Sequence, residues 1–99
     1  MRLVQPTDFK ILGQLADSRR NNAANLAVLL DQDRSYINTR LPVLADYGLV
    51  KRVGPAEKSG LYVITERGHA AVACQEAYAT NSDFEAIIAG YLEDPVDHL

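Results

Sequence analysis

Residues 38–50 of this 99-residue chain read Asn-Thr-Arg-Leu-Pro-Val-Leu-Ala-Asp-Tyr-Gly-Leu-Val (NTRLPVLADYGLV). Together with the residues just before them, they predict a helix whose buried face carries apolar side chains at helical spacing: Ile37, Leu41 and Leu44. Asp33 is placed to cap the first turn of this helix, which then begins at Arg34. Gly48 supplies the left-handed residue with which many helices end.

Pro42 lies inside this predicted helix. An interior proline lacks the N–H of a helical hydrogen bond and crowds the preceding turn, at a cost of about 3 kcal/mol. One interpretation is a single helix kinked at Pro42. The other is a helix that restarts near Thr39, where a first-turn proline needs no N–H. The single kinked helix is preferred, because a helix that restarted near Thr39 would leave a long connector between it and the preceding helix.

Two further helices precede this one. The first opens at Thr7 or Pro6 and ends in the polar cluster at residues 17–21. Asn22 can cap a short second helix, AANLAVLL, in which three leucines are expected to face inward: Leu26, Leu29 and Leu30. Only the tripeptide Asp-Gln-Asp separates the second helix from the third, and this spacing is typical of a helix-turn-helix.

Two strand-like runs follow the third helix, at residues 49–53 and 61–65, and a Gly-bounded loop joins them. This hairpin would form a wing. Thr65 can cap a fourth helix that runs to about Tyr78, and a fifth helix spans residues 82–93. The predicted fold is therefore α+β and mostly α: a winged helix-turn-helix domain over residues 1–78, then a C-terminal helix and short tail over residues 79–99.

Composition and charge narrow the classes of function. Hydrophobic residues make up 47% of the chain, yet no apolar run is long enough to cross a membrane and no signal-peptide pattern opens it, so a cytoplasmic protein without a membrane partner is expected. The net charge of −3 argues against an indiscriminate polyanion binder. Residues 34–67 nevertheless carry a net charge of +3, whereas residues 68–99 hold six acids and no Lys or Arg.

The polar side of the third helix suits contact with DNA, because a helix in the major groove needs an apolar face to anchor it and a polar face to meet base edges. Base contacts are predicted for four residues: Arg34, Asn38, Thr39 and Arg40. Ser35 and Tyr36 are assigned to phosphates, which the helix N-terminus also favours. The alternative is an ordinary amphipathic core helix with a solvated polar face.

The predicted wing adds basic residues to this helix. Arg52, Lys58 and Ser59 are expected to contact the DNA backbone, with Arg52 and Lys58 favoured over Lys51. Strand alternation places Lys51 and Arg52 on opposite faces, so only one of them can point toward the DNA. The alternative is that these basic residues only discourage edge-to-edge aggregation of the hairpin.

The runs RLPVLADYGLVKRV and SGLYVITERGHAAV resemble the winged helix-turn-helix transcription regulators of bacteria and archaea. The residues that carry the resemblance fall at the end of the third helix and the close of the wing: Leu41, Leu44, Gly48, Leu49, Val50, Tyr62, Ile64, Thr65 and Gly68. With Pro42 and the bias toward Asp and Arg, the chain looks closest to small regulators similar to haloarchaeal phage repressors. The resemblance implies a repressor that binds double-stranded DNA as a homodimer.

The fifth helix carries a wide apolar stripe: Phe84, Ile87, Ile88, Tyr91 and Leu92. A dimer interface is the favoured interpretation, because a single helix-and-wing unit touches few bases. The alternative is that this helix packs on its own domain.

Nothing in the chain points to catalysis. The single cysteine, Cys74, is expected to be a buried thiol, and His69 is expected to be a neutral surface or boundary residue. No metal-binding, nucleophilic or phosphate-loop pattern is present, so a non-enzyme without cofactor or small-molecule ligand is expected. A winged-helix module that binds protein rather than DNA remains the alternative function.

Overall fold

The structure is a computed structural model that describes residues 1–54, 60–80 and 83–93. Within these ranges, six helices and three strands follow one another in the order α1 (Thr7–Ser18), β1 (Arg20–Asn21), α2 (Ala23–Leu30), α3 (Arg34–Asp46), β2 (Val50–Val53), β3 (Leu61–Ile64), α4 (Glu66–Ala73), α5 (Gln75–Tyr78) and α6 (Phe84–Glu93). The predicted α+β, mostly α fold is confirmed. None of the helices in the described ranges has the length and apolar character that crossing a bilayer requires.

Three helices begin at the capping residues that the sequence predicted. The Asn22 side chain accepts the N–H of Asn25 at 2.8 Å, and Asp33 accepts the N–H of Ser35 at 2.7 Å. Thr65 accepts the N–H of Gly68 at 3.0 Å. Each cap satisfies a backbone donor that the first helical turn leaves without a partner. The start of each helix is thus fixed locally.

The helix α3 runs through Pro42 without interruption, from Arg34 to Asp46. The single helix is therefore confirmed and the restart near Thr39 is wrong. A kink at Pro42 stays a prediction. Pro42 is exposed, so its ring meets solvent rather than a packed neighbour.

The sheet has one strand more than the sequence predicted. Its order is β1-β3-β2, with both pairs antiparallel. The additional strand, β1, pairs Arg20 with Val63 and Asn21 with Tyr62. A strand of two residues is too short to show the side-chain alternation of a strand in the sequence. It forms only because β3 lies beside it. It joins the end of α1 to the hairpin.

One hydrophobic core receives side chains from α1, α2, α3, the sheet, α4 and α6. In α2 the inward expectation holds for Leu26, which is fully buried, and fails for Leu29, which is 55% exposed. Ala23, Leu26, Ala27 and Leu30 recur at the spacing of one helical face, and they alone turn toward the core. Leu29 lies outside that face.

The C-terminal helices differ from prediction in two ways. The expected helix from Thr65 to Tyr78 is broken at Cys74 into α4 and α5. Phe84 and Ile88 of α6, two of the residues predicted for a dimer interface, are 4% and 0% exposed, so the structure places them in the core of the chain itself, and their part in a dimer interface stays a prediction. Phe84 instead packs edge-to-face on the rings of Phe9 and Tyr78, at centroid distances of 6.0 and 5.1 Å. The core therefore continues beyond residue 78.

Candidate nucleic-acid interface

The helix α3 separates a buried face from an exposed one. Ile37, Leu41 and Leu44 are at most 1% exposed and hold the helix on the core. The first two turns present five exposed residues on the other side: Arg34, Ser35, Tyr36, Asn38 and Thr39. The structure thus brings five of the six polar residues predicted on this helix to one open surface. The Thr39 hydroxyl donates to the Ser35 carbonyl at 3.0 Å, so its oxygen still has lone pairs that can accept a hydrogen bond.

Arg40 departs from the sequence prediction. Its Nε and Nη2 donate to the Asp8 carboxylate at 2.9 and 2.7 Å, and its side chain is 14% exposed. The hydrogen bond with Asp8 raises the pKa of the Arg40 guanidinium above its ordinary value, so the group stays charged. Two of the five N–H donors of the guanidinium are thus engaged with α1. The structure therefore places Arg40 in an ion pair with α1 rather than on the exposed face of α3, and its contact with bases stays a prediction.

Asp8 is the residue of this region that the sequence reasoning missed. Its side chain is fully buried, and its Oδ2 also accepts the N–H of Val4 at 2.7 Å. A signal was present in the sequence: Asp8 shares a helical face with Leu12 and Leu15, which are core residues. A carboxylate on an apolar face requires a buried partner, because an isolated buried charge is costly.

The wing hairpin places Arg52 beside α3. Arg52 Nη2 donates to the Tyr62 hydroxyl at 2.8 Å, and the guanidinium lies 5.4 Å from the centre of the Tyr62 ring. These two residues are cross-strand partners in the β2–β3 register. They line an open groove of about 310 Å³ together with Gly60 of the hairpin and two residues of α3, Asn38 and Pro42.

The other predicted wing residues are placed differently. Lys51 pairs with Val63, so it points to the face of the hairpin opposite Arg52, as the alternation predicted. Lys58 and Ser59 lie outside the described residues. Of the predicted wing contacts, the structure therefore locates Arg52 next to the exposed face of α3.

The C-terminal end of α3 is fixed by the residues that follow the hairpin. Thr65 donates through its hydroxyl to the Gly48 carbonyl at 2.6 Å, and its N–H donates to the Leu49 carbonyl at 3.1 Å. Arg67 Nε donates to the Tyr47 carbonyl at 3.0 Å. Gly48 takes the left-handed conformation that was predicted, with a φ of 78°. These hydrogen bonds thus fix the orientation of the hairpin relative to the C-terminal end of α3.

The remaining candidates on α6 form a narrower surface than the sequence predicted. Ile87 and Tyr91 are half-buried, and Leu92 is 42% exposed. These three residues flank the buried Phe84 and Ile88 on α6, and Ile87 and Tyr91 also pack against the core.

Cys74 and His69 show no catalytic arrangement. Cys74 is half-buried, and burial raises the pKa of its thiol, which favours the protonated form. His69 is exposed on α4. Within residues 1–54, 60–80 and 83–93, no group of three or more His, Cys, Asp or Glu side chains is placed to hold a metal ion.

Comparison with known proteins adds one structural likeness. No family model and no curated protein matches the chain. The crystal structure of the oxidised form of MarR from E. coli matches it with a TM-score of 0.59 and 22% sequence identity. The fold is a winged helix. The match covers 88% of this chain and 62% of the MarR chain, so this protein spans less than two thirds of its neighbour's length. In this winged helix α2 and α3 form the helix-turn-helix, and β2 and β3 form the wing.

Proposed function

We propose that this winged helix is a sequence-specific, DNA-binding transcription regulator that acts in the cytoplasm as a homodimeric repressor. The observation that carries the proposal is the exposed polar face of the first two turns of α3, whose Asn38 borders one groove together with Arg52 of the wing. The narrower resemblance to haloarchaeal phage repressors, which rests on Pro42 and the Asp and Arg bias, belongs to the same proposal.

The exposed residues of α3 match the chemistry of the major groove. Arg34 can donate two hydrogen bonds to a guanine, and Asn38 can both donate to and accept from an adenine. Thr39 is exposed, and the methyl group of a threonine suits the methyl group of thymine. Ser35, Tyr36 and the N-terminus of α3 suit the phosphates that flank these bases. The two turns cover four to five base pairs in each half-site.

The wing supplies contacts that do not depend on sequence. Arg52 is held by Tyr62 on the side of the hairpin that faces Asn38. Its guanidinium can therefore contact a phosphate while α3 lies in the major groove of the DNA. Lys58 and Ser59 are proposed to extend this contact along the backbone. Each phosphate neutralised releases counterions, so the affinity falls as salt concentration rises.

A homodimer would double the number of bases contacted. The partly exposed edge of the apolar face of α6, with Ile87, Tyr91 and Leu92, is the proposed dimer interface. The acids of residues 68–99 would keep this side of the molecule away from DNA. Two copies of α3 about 34 Å apart would then enter successive major grooves of a palindrome, and occupation of that site would block transcription.

Selection from random DNA tests the proposal. The protein is mixed with duplexes that carry a randomised core of about 30 base pairs, long enough for two half-sites, and bound DNA is sequenced at several salt concentrations. The expected result is a palindromic sequence that survives at the higher salt concentrations. Recovery of DNA without any enriched sequence would contradict the proposal.

A protein-binding module is the second candidate function. The exposed apolar side chains of Val28 and Leu29 in α2, which are 82% and 55% exposed, favour it together with the net charge of −3. In that case no duplex would be enriched, and substitutions on the exposed face of α3 would leave binding to random DNA unchanged.

A further inference from the structure

We infer that Asp8 is a positioning residue that sets the orientation of α3 and thereby its base discrimination; this inference rests on the proposed function. Asp8 lies in the first turn of α1, whereas its partner Arg40 lies directly after the exposed residues of α3. The ion pair joins positions 32 residues apart in the chain. No DNA atom needs to touch Asp8 for it to affect which bases α3 meets.

The geometry of the Asp8–Arg40 pair restricts how the two side chains are oriented relative to one another. The Nε and Nη2 atoms of Arg40 bind the two carboxylate oxygens of Asp8 at 2.9 and 2.7 Å. A bidentate pair of this kind restricts both the distance and the angle between the groups. The Asp8 side chain is fully buried, so water cannot replace either partner without opening the core.

A second link holds α3 two turns further along. The Tyr47 hydroxyl accepts the N–H of Arg2 at 3.1 Å and donates to the carbonyl of Arg2 at 3.3 Å. Tyr47 follows Arg40 by seven residues, so the two lie on the same face of the helical path, about 10 Å apart. We call residues 2–8 the N-terminal brace, because this one segment is attached to α3 at both points.

Two attachments on one face fix the direction of a helix, whereas an apolar contact alone leaves it freer to tilt or slide. Hydrogen bonds to base edges tolerate only a few tenths of an ångström around 2.7–3.2 Å. A small tilt of α3 would therefore weaken the contacts of Arg34 and Asn38 with bases more than contacts with phosphates, which long side chains can follow.

The double variant D8L/R40M tests this inference without changing the net charge. Apolar replacement of a buried ion pair often preserves folding, and a melting curve checks that it does. The ratio of Kd for a shuffled duplex to Kd for the selected duplex is expected to fall about tenfold, the loss of roughly one good base contact. The Kd for the shuffled duplex and its salt dependence are expected to stay unchanged.

The variant K10Q/D17N is the matched control, since it also removes one positive and one negative charge, from the exposed side of α1. For this control, the ratio of Kd for the shuffled duplex to Kd for the selected duplex is expected to equal that of the parent protein. If D8L/R40M does not fold, the variant R40K keeps the charge beside Asp8 but cannot bind both carboxylate oxygens with the planar fork of an arginine, and it is expected to lower the ratio about threefold.

The outcomes separate this inference from the proposed function. If the parent protein enriches no sequence, the proposed function fails. If it does and the folded D8L/R40M variant, or failing that R40K, keeps the parent ratio, the inference about Asp8 is overturned. It is also overturned if D8L/R40M binds the shuffled duplex more weakly with a salt slope lower by about 0.9, because Arg40 would then contact a phosphate directly.

Discussion

The Thr65 hydroxyl donates a hydrogen bond of 2.6 Å to the carbonyl of Gly48 and thereby ties the end of the wing to the end of α3. The same hydroxyl accepts the N–H of Gly68 at 3.0 Å and caps α4. Gly68 faces the Leu49 carbonyl so closely that the two backbones leave no room for a side chain. The residues of the Gly-Leu-Val and Thr-x-x-Gly sequences thus pack together and orient α3, the wing and α4 relative to one another.

The substitution Gly68→Ala is expected to destabilise the protein by about 2 kcal/mol or more. A Cβ at this position would overlap the Leu49 carbonyl and lie 2.6 Å from Cγ1 of Ile64, so α4 would have to move. Urea unfolding measures the change. Gly13→Ala is the control, because its Cβ would meet no atom within 4 Å inside α1, and it is expected to be neutral or stabilising by up to about 1 kcal/mol. Equal effects of the two substitutions would contradict this account.

The substitution Asp8→Asn is expected to lower the free energy of unfolding by about 3 kcal/mol or more, because it leaves the Arg40 guanidinium buried without its counter-ion. D8L/R40M removes both charges and is expected to stay within about 2 kcal/mol of the parent, although the Val4 N–H loses its acceptor. Chemical denaturation of the three proteins gives the comparison. A D8N variant as stable as the parent would show that the pair does not hold α1 to α3.

Asn38→Ala and Arg52→Ala are expected to affect DNA binding differently. Loss of a base contact at Asn38 should cost about 1–3 kcal/mol on the selected duplex and leave the shuffled duplex unchanged. Loss of a phosphate contact at Arg52 should weaken both duplexes equally and lower the salt slope by about 0.9. Lys51→Ala is the control for Arg52, since it removes the same charge from the opposite face of the hairpin. Titrations at several salt concentrations distinguish these results, and identical behaviour of all three variants would refute the assignment.

Leu92→Glu is expected to convert a dimer into a monomer, because it places a charge in the proposed apolar interface on α6. Light scattering during size-exclusion chromatography measures the mass across a concentration series. Val28→Glu is the matched control: Val28 is more exposed than Leu92, at 82% against 42%, but lies on α2. A dimer that survives Leu92→Glu and dissociates with Val28→Glu would place the interface on α2 instead.

The Cys74 thiol is expected to be alkylated more slowly in the folded protein than in denaturant, because burial raises its pKa and less thiolate is present. The folded state then retains the thiol proton at pH values where the unfolded state has released it. The contribution of Cys74 to stability is therefore full below the ordinary thiol pKa and declines as the pH rises through the folded pKa. Cys74→Ala should show a smaller alkaline loss of stability than the parent; an equal loss would argue against the raised pKa.

Much of this fold could be read from the sequence because its signals are local. Asn22, Asp33 and Thr65 each cap a helix whose first turn lies within three residues of them. The apolar spacing of α3 and the alternation in the hairpin depend likewise on neighbours a few positions away. The strand β1 could not be predicted in this way, since its two residues pair with Tyr62 and Val63 about 40 positions later.

The candidate interface likewise has one part that the sequence predicts and another that depends on contacts between distant segments. The sequence alone determined that α3 has an apolar face and that Asn38, Thr39 and their neighbours lie on the polar side, because helical geometry fixes which residues share a face. Only the tertiary structure decided that Arg40 is paired with Asp8, that Phe84 belongs to the core, and that Arg52 faces Asn38. These outcomes depend on which distant elements pack together, and no periodicity within one segment encodes that contact.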